Sequence, residues 1–259
     1  MGGKFKQDKV LTAIVGSFPK PRYAYPGSWD DLIDSMGAVF DDGEQRFGKR
    51  EFKRRLDRAA LWALKNQNAA GTDIETDGEE RRGHFVLSIL RGLGGFDFKK
   101  IQKVVIRDVL ERPVPTCTGP IRYKGQIVVD EFLFTARHAK LMPKIGLPGP
   151  STVVGTVATG YYGDNLRQMA FDYAIAIRKE VTALIKAGCK IIQFDDPVLL
   201  RSPQNAKSWG LEALQACFKG LEDRAYYIVH ICRGYPNKPL ERRGIAYKAK
   251  AEYYKDILR

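Results

Sequence analysis

His230-Ile231-Cys232 joins the two side chains in this sequence best suited to hold a soft cation. On an extended strand, positions i and i+2 project from one face, so the imidazole and the sulfur converge near a single point. That donor pair suits Zn²⁺, which takes nitrogen and sulfur ligands at about 2.0–2.3 Å. Two donors do not complete a site, and the motif alone also reads as a His and a Cys buried in a core strand. Carboxylates make the second group: Asp77 and Glu79 flank Gly78, and Asp195 and Asp196 are adjacent. Buried carboxylates are costly unless paired, hydrogen-bonded or bound to a cation. Gathered at one mouth they would hold an ammonium group or complete a metal site. Capping the following helix, or pairing with Arg81, Arg82 or Arg201, would satisfy them as well. The third group is Gly16-Ser17-Phe18-Pro19, a sharp turn offering a hydroxyl and backbone N–H groups.

The elements that must position these groups alternate. A strand is expected at 11–17, a helix at about 44–70 closed by Gly71, and a strand at 72–78 whose acids share one face. Residues 113–121, 126–129 and 144–154 read as extended, with a hairpin turn at 122–126. Asp164 or Asn165 can cap a helix with an apolar stripe at Met169, Tyr173, Ile177, Val181, Leu184 and Ile185, stopped by Gly188. A strand at 190–197, a helix at about 210–221, a strand at 225–232 and a helix at 247–258 follow. Twice the order is helix, Ala-Gly, strand, carboxylates. Short links of this kind imply parallel βα units, and functional groups at strand C-termini point to a (β/α)₈ barrel of the TIM type. Only about six of the eight strands are counted, so the barrel is expected to be truncated, with 1–259 forming one domain.

Composition bounds the class. The chain has 259 residues, 44% apolar, enough for a sizeable core. No apolar run reaches the roughly 20 residues of a membrane span and the start is too polar for a secretory signal, so a cytoplasmic protein with no membrane partner is expected. The 43 basic against 30 acidic residues give +13, a field that favours anionic ligands. Clusters such as KREFKRR at 49–55 read as solvated helix faces, and no nucleic-acid-binding motif accompanies them. Cysteines at 117, 189, 217 and 232 show no CxxC pair, so thiols are expected, not a disulfide framework.

Taken in order, VGSFP at 15–19, DGE at 77–79, TGP at 118–120, GPST at 149–152, QFDDP at 193–197 and HIC at 230–232 resemble the cobalamin-independent methionine synthase family. The likeness is to its catalytic C-terminal barrel and to shorter archaeal and bacterial relatives. It implies a (β/α)₈ barrel related to uroporphyrinogen decarboxylase. It also implies a zinc-dependent methyltransferase that passes a methyl group from methyltetrahydrofolate or a corrinoid to a thiol such as homocysteine, giving methionine. By that resemblance His230 and Cys232 are zinc ligands, with further ligands on the last two strands. Glu79 and Asp195 hold the substrate's amino group, and Ser17 seats its amino-acid end. No residue is assigned as an acid or base. Partners are then the thiol and the methyl donor; nucleic acid is not expected, and self-association is left open. Two alternatives stand beside it. One is alkyl transfer to another thiol such as coenzyme M, with Arg22 or Arg82 taking the sulfonate. The other is an inactive barrel that serves as a binding protein.

Overall fold

The computed structural model describes residues 10–25, 38–106, 110–234, 241–245 and 248–257. In chain order the elements are α1 (Ala38–Phe47), α2 (Lys49–Ala69), β1 (Ile74–Glu75), α3 (Leu87–Arg91), β2 (Leu93–Ile106), β3 (Leu110–Tyr123), α4 (Val129–His138), β4 (Met142–Pro148), α5 (Pro150–Val154), α6 (Leu166–Lys186), β5 (Ile191–Asp195), α7 (Val198–Arg201), α8 (Leu211–Ala216), β6 (Tyr226–His230) and α9 (Tyr254–Ile257).

β1, β4, β5 and β6 form a parallel sheet in that order. Residues 11–17, expected as the first strand, run beside it with one parallel bridge, Ala13 to Ile74. The rest of that segment is held by side chains instead of a ladder. Helices between the strands supply the crossovers that parallel pairing demands. Along β4 and β5 the faces alternate as a barrel wall requires. Ile145, Leu147, Ile192 and Phe194 point into the core shared with the helices, while Lys144, Gln193 and His230 line a cavity of about 870 Å³ on the other face. Val10, Leu11 and residues 13–15 border the same cavity, which lies on the lumen side of the sheet.

The helices follow their sequence signals. α6 is capped by Asn165, whose side chain accepts from the Gln168 N–H at 3.1 Å. It buries Met169, Tyr173, Ile177, Val181 and Leu184, and Gly188 ends it at φ 94°. The long helix expected at 44–70 is two helices, because Gly48 adopts φ 74°, outside helical space. In α2, Phe52, Leu56, Ala60, Ala63 and Leu64 are buried, while Lys53 and Arg54 pair with Asp57 and Glu51 on the exposed face. The basic cluster is therefore a solvated face.

The middle of the chain differs from expectation. β2 and β3 form one long antiparallel hairpin, ten partner pairs with two irregularities, set apart from the parallel sheet. Its pairing runs from Leu93 with Tyr123 to Ile106 with Leu110, so 122–126 is not its turn but follows its second strand. Residues 126–129 lead into α4, and 144–154 divide into strand and helix at Gly149-Pro150, where the proline takes the first helical turn. At the C-terminal end a single 3₁₀ turn and α9 replace the expected long helix, whose residues 247 and 258 lie outside the described set.

Candidate active site

Of the groups expected at one mouth, Asp195, His230 and Cys232 lie together and Ser17 is bonded to Glu79, whereas Asp77 is turned to its own loop, its Oδ1 accepting from the Glu79 N–H at 2.9 Å. β5 and β6 pair in register, with Asp195 opposite His230, and Asp195 Oδ1 meets His230 Nδ1 at 2.8 Å. His230 also contacts the Cys232 side chain, so the i and i+2 positions face the same way. The Asp195 hydrogen bond first, and Cys232 second, push the imidazole up to about 9. A carboxylate on Nδ1 is the outer-shell arrangement that orients metal-binding histidines and leaves Nε2 for the metal. His230 and Cys232 thus fit two positions of a zinc site. No group of three or more His, Cys, Asp or Glu able to hold a metal exists among the described residues.

The two carboxylates meet over Gly146. A Cβ there would lie 3.2 Å from Asp195 Oδ2 and 3.3 Å from Glu79 Oε1, so glycine lets both acids approach the β4 backbone without being pushed aside. Glu79 sits at φ 54°, and Gly78 before it at φ 72°. This left-handed pair turns the chain at the end of β1, at a strain cost of roughly 1–3 kcal/mol for the non-glycine residue. A Cβ at Gly78 would lie 2.6 Å from Phe18 Cβ, and the Phe18 N–H donates to the Gly78 carbonyl at 2.9 Å. The two loops therefore interlock, and Ser17 Oγ donates to Glu79 Oε2. Arg82 Nη1 holds Glu79 Oε1 at 3.3 Å and the Gly146 carbonyl at 2.8 Å, while its Nε holds Glu131 Oε2 at 2.8 Å. Burial pushes the Glu79 carboxyl up, against the opposing pull of Arg82. Nε and Nη1 of Arg82 are thereby committed, which counts against it as a sulfonate receptor.

Asp196 does something else. Its carboxylate, 0% exposed, accepts from the Thr152 N–H at 2.7 Å, Thr152 Oγ1 at 2.8 Å and the Ser151 N–H at 3.3 Å. It fastens the GPST turn from behind, so tightly that a Cβ on Gly149 would lie 2.4 Å from the Asp196 Cβ. The adjacent acids thus split by strand alternation: Asp195 faces the mouth and Asp196 serves the structure.

Sequence reasoning passed over Lys144 and Gln193. Lys144 is 2% exposed. Its Nζ donates to the carbonyls of Ile14 and Val15 at 2.6 and 3.0 Å and to Gln193 Oε1. Burial pulls it down to about 8, which leaves it an ammonium at pH 7. A lysine in an apolar strand pattern was the available signal.

Glu80, beside Glu79, points away from the mouth. It is 0% exposed, neither carboxylate oxygen accepts a hydrogen bond, and Lys20 Nζ stands 3.7 Å from Oε2. Burial pushes it from 4.5 up to about 8. The folded state therefore binds this proton more tightly than the unfolded state. The stability Glu80 contributes is full below about pH 4.5 and is lost as pH rises to about 8, by at most ~1.4 kcal/mol per unit. Glu80→Gln copies the protonated form, so its urea-unfolding free energy is expected to gain on the parent steadily between pH 5 and 8. A constant difference across that range would mean that Glu80 is charged and paired with Lys20.

A parallel sheet joined by helical crossovers, with acids and an imidazole at its strand ends, is the architecture of a TIM-type α/β barrel enzyme. Residues 10–242 match the family model described as cobalamin-independent synthase, catalytic domain, and the chain belongs to that family. A methionine synthase of Sulfurisphaera tokodaii is 28% identical over 225 residues, 86% of this chain and 61% of the relative. One of Saccharolobus solfataricus is 30% identical, covering 86% and 62%. The chain therefore spans under two thirds of the length of these relatives. Among solved structures, the B12-independent methionine synthase of Shewanella sp. W3-18-1 in complex with selenomethionine superposes with TM-score 0.81 at 28% identity, covering 95% of this chain and 68% of that one. No helix among the described residues is long and apolar enough to cross a membrane.

Proposed function

We propose that this chain carries the thiol-binding portion of a zinc-dependent methyltransferase that methylates homocysteine to methionine, taking the methyl group from methyltetrahydrofolate or a corrinoid. The observation that carries this reading is the carboxylate pair over Gly146, one hydrogen bond from the His230 and Cys232 pair. Zinc, when bound, supplies the positive charge that deprotonates a thiol whose pKa is otherwise about 8.5. His230 Nε2 and Cys232 Sγ are the ligands this chain offers. Asp195 Oδ2 and Glu79 receive the substrate's ammonium group, and Ser17 with the N–H groups of its turn seats the carboxylate end. Methyl transfer to sulfur needs alignment more than proton shuttling, which suits a mouth built from fixed charges. The selenomethionine in the Shewanella relative is an analogue of the product this reading names. Residues 1–259 are taken as one barrel domain lacking its last two strands, placed in the cytoplasm with the thiol and the methyl donor as its partners.

Cobalt(II) replaces zinc as a visible probe. Homocysteine added to the Co²⁺-loaded 259-residue chain is expected to raise sulfur-to-cobalt absorption. 3-Mercaptopropionate, which lacks the amino group, is expected to bind at least 10-fold more weakly. Glu79→Gln should erase that preference. Equal responses to both thiols, or none, would overturn the reading. Supplying methyltetrahydrofolate and a methylated corrinoid in parallel then identifies the donor.

A further inference from the structure

Lys144 on β4 and Gln193 on β5 face the lumen two rungs from one another, since Gly146 is the register partner of Gln193. Both are 2% exposed. Gln193 Nε2 donates to the Val15 carbonyl and to Asp195 Oδ1, each at 2.7 Å, and Asp195 Oδ1 meets His230 Nδ1 at 2.8 Å. On its other side, Gln193 Oε1 accepts from Lys144 at 2.5 Å.

An amide side chain can be turned over with little change in shape, and its orientation follows from its neighbours. Here the chemistry allows one answer. An ammonium has three protons and no lone pair, and Lys144 spends them on Ile14 O, Val15 O and Gln193 Oε1. Gln193 must therefore show its oxygen to Lys144 and its NH₂ to Val15 and Asp195. With Asp195 Oδ1 a pure acceptor, the proton on the His230 bond sits on Nδ1, and Nε2 is the nitrogen left for a ligand.

We propose that Lys144 is a positioning residue which, acting through Gln193 and Asp195, orients the His230 imidazole and also pins the 14–15 main chain that delivers Gly16 and Ser17 to Glu79. One buried ammonium thereby couples the ligand side of the mouth to its substrate side, across three strands and a segment that has almost no ladder of its own. The proposal rests on the reading above only for what His230 holds; the chain of donors stands on the geometry.

The test uses the 259-residue chain with and without Co²⁺. In the metal-free protein, a downfield, exchange-protected His230 Nδ1–H proton resonance is expected, assigned by its loss in His230→Ala. Lys144→Met and Gln193→Met should each broaden it beyond detection and lower Co²⁺ affinity roughly 10–100-fold, the usual effect of an outer-shell change. Because both act on one path, the double variant should be no worse than Gln193→Met alone. An unchanged resonance and affinity in Lys144→Met, or effects that add, would overturn the proposal. Should Lys144→Met fail to fold, Gln193→Glu keeps the oxygen facing Lys144 and removes the donors; a resonance that survives in it has the same adverse meaning. A parent chain that shows the resonance, loses it in these variants and binds no Co²⁺ would sink the zinc reading while supporting this one.

Discussion

Cys232→Ser and His230→Ala are each expected to lower the zinc affinity of the chain by more than ~100-fold, beyond the 10–100-fold that outer-shell changes cost. On the proposed reading, each removes a ligand outright. A serine hydroxyl is a poor donor to a borderline-soft dication beside thiolate, and the described residues hold no group of three or more His, Cys, Asp or Glu that could take over. Asp195→Asn should fall between the parent and these variants. It keeps an acceptor for His230 Nδ1 but gives up the negative charge that raises ligand basicity. Competition with a chromophoric chelator at fixed pH reads all three. Zinc held equally well by His230→Ala and Cys232→Ser would place the metal elsewhere and remove the basis of the proposed chemistry.

Glu180→Ala is expected to cost about 3–5 kcal/mol of folding stability, because it strands up to three neutral donors at about 1–3 kcal/mol each. Glu180 is 0% exposed within α6. Its carboxylate accepts from the Val128 N–H at 2.7 Å, the Ile127 N–H at 3.0 Å and the Tyr123 hydroxyl at 2.7 Å. These donors lie where the β3 strand hands over to α4, so a side chain from a distant helix satisfies the start of α4. Removing it leaves buried N–H groups with no acceptor, each costing about 1–3 kcal/mol. Glu180→Gln retains one acceptor oxygen and should lose about half as much in urea unfolding. The effect reaches the mouth, because α4 carries Glu131, which holds Arg82, which holds Glu79. A Glu180→Ala variant as stable as the parent would show that water or a shifted backbone satisfies those donors at no cost.

The local rules were legible where chemistry and periodicity agree. The stripe on α6, its Asn165 cap and its Gly188 stop follow from side-chain spacing and backbone preference alone, and the structure has all three. The i, i+2 relation of His230 and Cys232 was likewise readable because a strand has a period of two, but the strand expected at 72–78 is only Ile74–Glu75, and Asp77 and Glu79 lie in the turn beyond it. The hairpin was not. No element is assigned to residues 93–106 from the sequence, and although 113–121 read as extended, the pairing of the two is made at a distance, which no local pattern encodes. The break at Gly48 was missed for a different reason: a glycine within a helical pattern is usually tolerated, and only the packing of Phe52 and Leu56 decides where the chain must turn.

Residue types and spacing determined that this chain builds βα units, that acids and a His-X-Cys pair end its strands, and which family its ordered motifs resemble. Only the tertiary structure decided that Asp195 turns to His230 while Asp196 turns to Thr152, that Gly146 leaves room for two carboxylates to approach, and that Lys144 and Gln193 tie the first segment to the mouth. The division has a physical cause. Periodicity is a property of one strand or helix, whereas the partner of a buried charge is set by whichever donors the folded chain brings within 3 Å or so, from residues 49 to 178 positions away in the cases of Gln193 with Lys144 and with Val15.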